Sequence, residues 1–322
     1  MSAGIADRAA DEGRVRPGDE SNAPAGDTTS EPPGDEPGLC TEAAADVPSG
    51  DDASQAPVSE LAVTPAGHGM QTDLPTHARA LSARANMSTT VILAAARWTK
   101  WFERELLGLS MLVGPGSVCV DVGAAAGIYT LPLSRLAGPS GLVYSVEPLP
   151  FAWPAWNRLF NVRNSPNVRH HAVALGSEPG QASMRVPMGR FGLVTGRSFI
   201  SQHCCGLGSN AEFARHISFS VPVATLDGLL AGSGQHRLDF VKIDVEGAEL
   251  HVLHGGQGVI ESFRPAMLIE IEARHTRRYE YDPEDVVSWL SERGYTMYVW
   301  DRGWQEASKI ISGTRNYLFQ AR

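Results

Sequence analysis

The chain has 322 residues, 43% of them hydrophobic and 20% charged, with a formal charge of −9. Its three lysines (Lys100, Lys242, Lys309) and the lack of any basic run argue against a nucleic-acid-binding face. No apolar stretch approaches the roughly 18 residues that a membrane-spanning helix needs. The first 20 residues mix acids with arginines and lack an apolar core, and Cys40, Cys119, Cys204 and Cys205 form no disulfide framework, so the expected setting is the cytoplasm.

Residues 1–80 carry 15 acidic residues and four arginines, a net charge of −11, and no Phe, Trp or Tyr precedes Trp98. Like charge with abundant Pro, Ala and Gly and little apolar surface cannot offset the entropy of ordering, so residues 1–85 are expected to be a disordered tail. A single domain is expected over 86–322. It opens with Val91, Leu93, Ala94, Trp98, Trp101, Phe102, Leu106 and Leu109 at mostly three- and four-residue steps, which predicts an amphipathic helix over 86–113, broken near Thr99 and stopped by Gly114-Pro115-Gly116.

Short apolar runs then alternate with helical segments, the pattern of a doubly wound, mostly parallel α/β sheet. Strands are predicted over 118–122, 142–147, 168–175, 240–244 and 267–272. Helices are predicted over 130–136, 151–160 and 246–260, and from Asp282-Pro283, an N-cap followed by proline, to Gly294. Two closing strands over 295–300 and 316–320 have no helix between them and should pair antiparallel. Residues 180–223, with Gly192, Gly196, Gly206 and Gly208, read as an irregular, partly strand insertion that shapes a substrate pocket with Arg185, Arg190, Phe191, Arg197 and Phe199.

The first strand runs into a small-residue turn, Asp121-Val122-Gly123-Ala124-Ala125-Ala126-Gly127, where Gly123 and Gly127 let backbone approach a nucleotide-like ligand. The dinucleotide fingerprint would need glycine at Ala125. Asp121 would repel a pyrophosphate but suits a cationic amino-acid end. Glu147, 26 residues later at the tip of the second strand, is placed to accept hydrogen bonds from ribose hydroxyls. Together these point to S-adenosylmethionine. The competing readings are that Asp121 caps the turn and Glu147 is a solvated strand end, that the fold serves a nicotinamide-type oxidoreductase or epimerase, and that the domain is a catalytically silent metabolite-binding scaffold.

These blocks, together with Val146-Glu147-Pro148-Leu149-Pro150, Ala172-Val173-Ala174-Leu175-Gly176, Val223-Ala224-Thr225-Leu226-Asp227, Val241-Lys242-Ile243-Asp244-Val245-Glu246-Gly247-Ala248-Glu249 and Pro265-Ala266-Met267-Leu268-Ile269-Glu270, resemble the FkbM family of S-adenosylmethionine-dependent methyltransferases. The resemblance covers about 118–272. It implies a class I methyltransferase fold, a seven-stranded sheet with an antiparallel last strand, and methyl transfer to a hydroxyl of a small molecule such as a sugar or a natural product. It also implies a donor site formed by Asp121, Gly123, Ala124, Gly127, Tyr129, Glu147, Pro148, Ala174 and Asp244. Family members frequently carry Asn where this chain has Ala125, so any donor contact from that side chain is missing.

Strands of an open α/β sheet present ligands at their carboxyl ends. Asp244 ends one strand, and Glu246 and Glu249 are expected on one face of the helix that follows, where their plainer role is to complement its positive end. The expected arrangement has Asp244 and Glu246 holding an acceptor hydroxyl, His275 as general base, and Lys242, on the same strand face as Asp244, orienting the carboxylates. A structural role for His275 is equally compatible with the sequence. Asp244, Glu246 and Glu270 or Glu272 offer oxygen ligands to a divalent metal, which the favoured reading does not require. His203-Cys204-Cys205 lacks a second ligand pair and reads as loop packing.

Overall fold

Strand β1 (Val118–Val122) is buried along its whole length, which is why it reads as one apolar run interrupted by Asp121 alone. A computed structural model describes residues 83–98, 103–149, 165–190, 192–202 and 204–322. Most of the tail expected over 1–85, the helix expected over 151–160, Trp101, Phe102, Phe191 and His203 lie outside the described residues.

Further elements in chain order are α1 (Ala83–Trp98), a 3-10 segment (Arg104–Met111) before β1, α2 (Thr130–Ala137), β2 (Leu142–Val146) and β3 (Val168–His171). Next come β4 (Ala174–Leu175), β5 (Gly180–Gly189), β6 (Gly192–Leu193), β7 (Phe199–Ile200), β8 (Arg215–Ala224), α3 (Leu226–Ala231) and β9 (Phe240–Ile243). The chain closes with α4 (Glu249–His254), α5 (Gln257–Phe263), β10 (Ala266–Glu270), α6 (Ala273–Thr276), α7 (Pro283–Glu292), β11 (Tyr295–Trp300), β12 (Trp304–Glu306) and β13 (Asn316–Ala321).

The main sheet has the order β12-β11-β13-β10-β9-β1-β2-β3. Strands β3, β2, β1, β9 and β10 pair in parallel, and β13 runs antiparallel between β10 and β11. This is the class I methyltransferase arrangement with one strand more than the seven expected. The extra strand, β12, is three residues long and pairs with β11 between the two predicted closing strands.

Side-chain parity along β1 divides the core. Val118, Val120 and Val122 pack with Val252, Leu253 and Ile260 of α4 and α5 and with Val286 and Leu290 of α7. Cys119 faces the other way, with Phe240, Leu268 and Leu318, against Ile92, Leu106 and Leu109 of the N-terminal segment. By the same parity Asp121, Lys242, Glu270 and Asn316 belong to the face that the N-terminal segment covers.

Several expectations need correction. The predicted helix over 86–113 is α1 and the 3-10 segment, and α1 begins at Ala83. The strand expected over 168–175 splits, because β3 joins the main sheet and β4 pairs with β8. The helix expected over 246–260 starts at Glu249 and breaks at Gly255-Gly256, where the backbone of Gly176 presses so close to Gly255 that no side chain fits. The insertion expected to be irregular and partly strand is more regular than that: it forms a second, five-stranded sheet built on the β5–β8 antiparallel pair, with its own core of Leu149, Ala174, Ala182, Met184, Val186 and Val221. Helix α7 is as expected: the Asp282 backbone N–H donates to Asp285 Oδ2 at 2.8 Å, and Gly294 ends it with φ 75°.

Among the described residues no helix is long and apolar enough to cross a membrane. Leu268 is fully buried at the centre of the sheet. Leu268→Ala is expected to cost roughly 2–5 kcal/mol, read as a lowered urea midpoint at unchanged slope.

Candidate active site

The turn after β1 is tied to its neighbours by three consecutive amides. Gly123 and Ala124 both donate to the Val146 carbonyl at 3.0 Å, and Ala125 donates to Glu147 Oε2 at 2.9 Å. Gly123 has φ 76°, and a Cβ there would collide with the Asp244 carbonyl oxygen. The other carboxylate oxygen of Glu147 accepts from the Leu149 N–H at 2.8 Å. Burial pushes the Glu147 carboxyl up, and the two backbone donors partly offset it. Glu147 is therefore a bound strand tip and not a solvated one.

Asp121 is 2% exposed and accepts from Thr130 Oγ1 at 2.5 Å, which ties β1 to the first residue of α2. Burial raises it to about 6 against the pull of Thr130 and Lys242. Ala125 has φ 44°, the left-handed region that an alanine occupies at a cost and an asparagine tolerates.

On the neighbouring strands, the ammonium of Lys242 is 1% exposed. It lies 3.0 Å from Asn316 Oδ1, 3.6 Å from Asp244 Oδ2 and 5.1 Å from the Tyr129 ring centre. Burial alone would lower its pKa, but Asp244, Glu103, Glu270 and Asp121 outweigh that and raise it. Burial also works against the Asp244 anion, yet Lys242 and a hydrogen bond with Glu270 hold it below the usual carboxylate range. Glu270 takes the shared proton, pushed up by burial and by Asp244.

The loop after β9 is built by Glu249, which accepts from the N–H groups of Gly247 (3.0 Å) and Val245 (3.3 Å) and sits 3.2 Å from the Tyr281 hydroxyl. Glu246 is not in the helix with Glu249. It has φ 57°, its carbonyl accepts from Arg278 at 3.1 Å, and Gly247 beside it packs onto the His275 backbone. Glu246 Oε2 is 3.1 Å from His275 Nδ1, and Glu272 Oε1 is 3.8 Å from His275 Nε2. Burial raises Glu246 to about 8 and lowers His275 to about 4, so between those values both groups are neutral.

Two cavities open at these strand ends. One, of about 440 Å³, is lined by Asp121, Gly123, Ala124, Tyr129, Lys242 and Asp244, with Trp300 and Asn316. The other, of about 360 Å³, is lined by Glu147, Pro148, Ala174, Asp244, Glu246 and Glu270, with Arg197 and Arg274. Glu103 and Arg315 line both. Gly127 and His275 line neither, and Glu246 stands between His275 and the cleft. Arg185 and Arg190 also stay outside, while Phe199 is buried beneath the Arg278 guanidinium. Sequence reasoning missed Glu103, Arg315 and Asn316. Among the described residues, the carboxylates grouped within 4.8 Å of one another are those of Glu103, Asp244 and Glu270, which keeps Asp244 and Glu270 of the expected set and has Glu103 in place of Glu246.

The strand order and the cleft at the carboxyl ends of β1, β2 and β9 define a class I, Rossmann-like methyltransferase. The chain belongs to the FkbM methyltransferase family: the methyltransferase FkbM domain model matches residues 121–297. Among solved structures it is similar to the methyltransferase FkbM from Methylobacillus flagellatus KT, at 15% identity and a TM-score of 0.37, over 75% of this chain and 56% of that one. It is also similar to an S-adenosylmethionine-dependent O-methyltransferase from Thermotoga maritima (11% identity, TM-score 0.36, 72% of this chain and 69% of that one). A third is the Aeropyrum pernix fibrillarin with natively bound S-adenosylmethionine (14% identity, TM-score 0.36, 65% and 68%). Comparison with curated proteins gives no match.

Two outcomes are expected. Ala125→Gly relieves the left-handed strain and should raise stability by roughly 0.5–1 kcal/mol in a denaturant melt, the smaller entropy of the alanine chain setting the lower figure. Glu246 titrates near 4.5 when unfolded and near 8 when folded, so the stability it contributes is present below pH 4.5 and lost as pH rises through 8. Glu246→Gln should therefore flatten the fall in urea midpoint between pH 5 and about 8.5.

Proposed function

We propose that this methyltransferase moves the methyl group of S-adenosylmethionine to a hydroxyl oxygen of a small hydroxylated acceptor, such as a sugar or a natural product. The observation that carries the donor half is the pair of acids at adjacent strand tips, Asp121 and Glu147, facing two cavities that share the walls Gly123, Ala125 and Asp244. Each Glu147 oxygen accepts one backbone N–H and keeps lone-pair capacity for a ribose hydroxyl. Pro148 and Ala174 line the same end. Asp121, Tyr129, Asp244 and the Gly123-Ala124 backbone face the amino-acid end.

When bound, this donor supplies the methyl group and a good leaving group. The protein is left with alignment and one proton. Alignment of reactants is worth on the order of 7–11 kcal/mol in well-oriented systems, and general base catalysis about 10²–10⁴ in rate. Asp244 and Glu246 orient the acceptor hydroxyl. Its proton passes to the Glu246–His275 pair, with Glu246 at the cleft and His275 behind it. Lys242 keeps Asp244 ionised. Transfer to oxygen and the acceptor class rest on the family resemblance.

Calorimetry on the whole chain should show binding of S-adenosylmethionine and none of NAD. Glu147→Ala is expected to weaken donor binding at least about tenfold, or about 1.4 kcal/mol, and unchanged affinity removes the ribose assignment. Labelled donor incubated with a panel of hydroxylated acceptors should yield a labelled ether, and Asp244→Asn should abolish it. Label found on nitrogen or carbon would overturn the oxygen-transfer reading.

A further inference from the structure

The two cavities meet at Glu103, Gly123, Ala125, Asp244 and Arg315, which line both. On the donor reading above, one cavity takes the amino-acid end and the other the nucleoside end. In S-adenosylmethionine those ends are joined through the sulfur, so its positive charge falls at the junction. Of the junction side chains, Arg315 is drawn outward, half exposed and 3.5 Å and 3.7 Å from Glu270 and Glu272. Asp244 is tied to Lys242 and Glu270 and, on the same reading, is turned to the amino-acid end and the acceptor hydroxyl.

Glu103 remains, and its position is set from two sides. Its carboxylate accepts the hydroxyl of Tyr129, which is 7% exposed and directly precedes α2. The 3-10 segment that it starts is anchored by buried Leu106 and Leu109, and Gly108 lies so close to Trp300 that a Cβ would sit 2.5 Å from the ring. We infer that Glu103, which precedes the family-matched region, is a donor-binding residue that reads the positive charge at sulfur.

The test is calorimetry on the full chain in chelator-containing buffer near neutral pH. Three probes are used: S-adenosylmethionine, sinefungin, which carries an amine in place of the methylsulfonium, and neutral-sulfur S-adenosylhomocysteine. Glu103→Gln keeps an acceptor for the Tyr129 hydroxyl while removing the charge. It should weaken the first two probes about tenfold and S-adenosylhomocysteine less than about twofold, and Glu103→Asp should restore most of the difference. The ratio of affinities within one variant is insensitive to any loss of folded protein. Equal losses for all three probes, or no loss for any, overturn the inference. A wild-type chain that binds none of them overturns the donor reading beneath it.

Discussion

The approach of Gly123 to the carbonyl oxygen of Asp244 governs the carboxyl ends of the central strands. Strands β1 and β9 are parallel neighbours, and the chain leaving β1 must turn over the end of β9 with no room for a side chain. Having turned, it is bound by three successive amides to the end of β2, two at Val146 and one at Glu147. The turn therefore fixes the positions of Asp244 and Glu147 relative to each other. The same closure forces Ala125 into the left-handed region, a local cost carried by a site whose geometry is otherwise over-determined.

Charge at this site is lower than its count of carboxylates suggests. Lys242 is fully enclosed, and an unpaired ammonium there would be strongly disfavoured. Carboxylates around it reverse that balance, and in turn the ammonium keeps Asp244 ionised while Glu270 holds a proton. Asn316 reaches Lys242 because the β10–β13 register sets Asn316 opposite Glu270. Such a network adds little net stability over an apolar core, but removing one member would strand a buried charge. Its effect is to fix which acids are anions at the cleft.

The parts legible in the sequence are those where one local period decides the outcome. Strand β1, the glycine turn, Glu147 and Asp244 stand in unbroken strand–turn–helix patterns, and Asp282-Pro283 marks its helix by capping chemistry. The second sheet was hidden because Pro187 and Pro222 sit within β5 and β8, where proline ordinarily argues against a strand. Glu246 and Glu249 look like a helix start, yet the left-handed turn at Glu246 belongs to tertiary packing of Gly247 on His275. Glu103 and Arg315 carry no local signal at all. They reach the cleft only because the N-terminal segment packs on the Cys119 face and β13 inserts beside β10.

Within the proposed reaction, the two shifted groups behind the cleft are not equivalent as proton acceptors. His275, near 4, is almost wholly unprotonated at neutral pH but is a weak base. Glu246, near 8, is ionised in only a minor fraction, and that fraction is a far stronger base than an ordinary carboxylate. Brønsted behaviour favours a group whose pKa lies close to the working pH, since occupancy of the basic form and driving force then multiply to their largest product. Position agrees with this, because Glu246 lines the cavity and His275 lies 3.1 Å behind it. The imidazole, buried behind the carboxyl group and without a hydrogen bond to it, then serves as a packing neighbour, and direct proton abstraction from a substrate is not required of it.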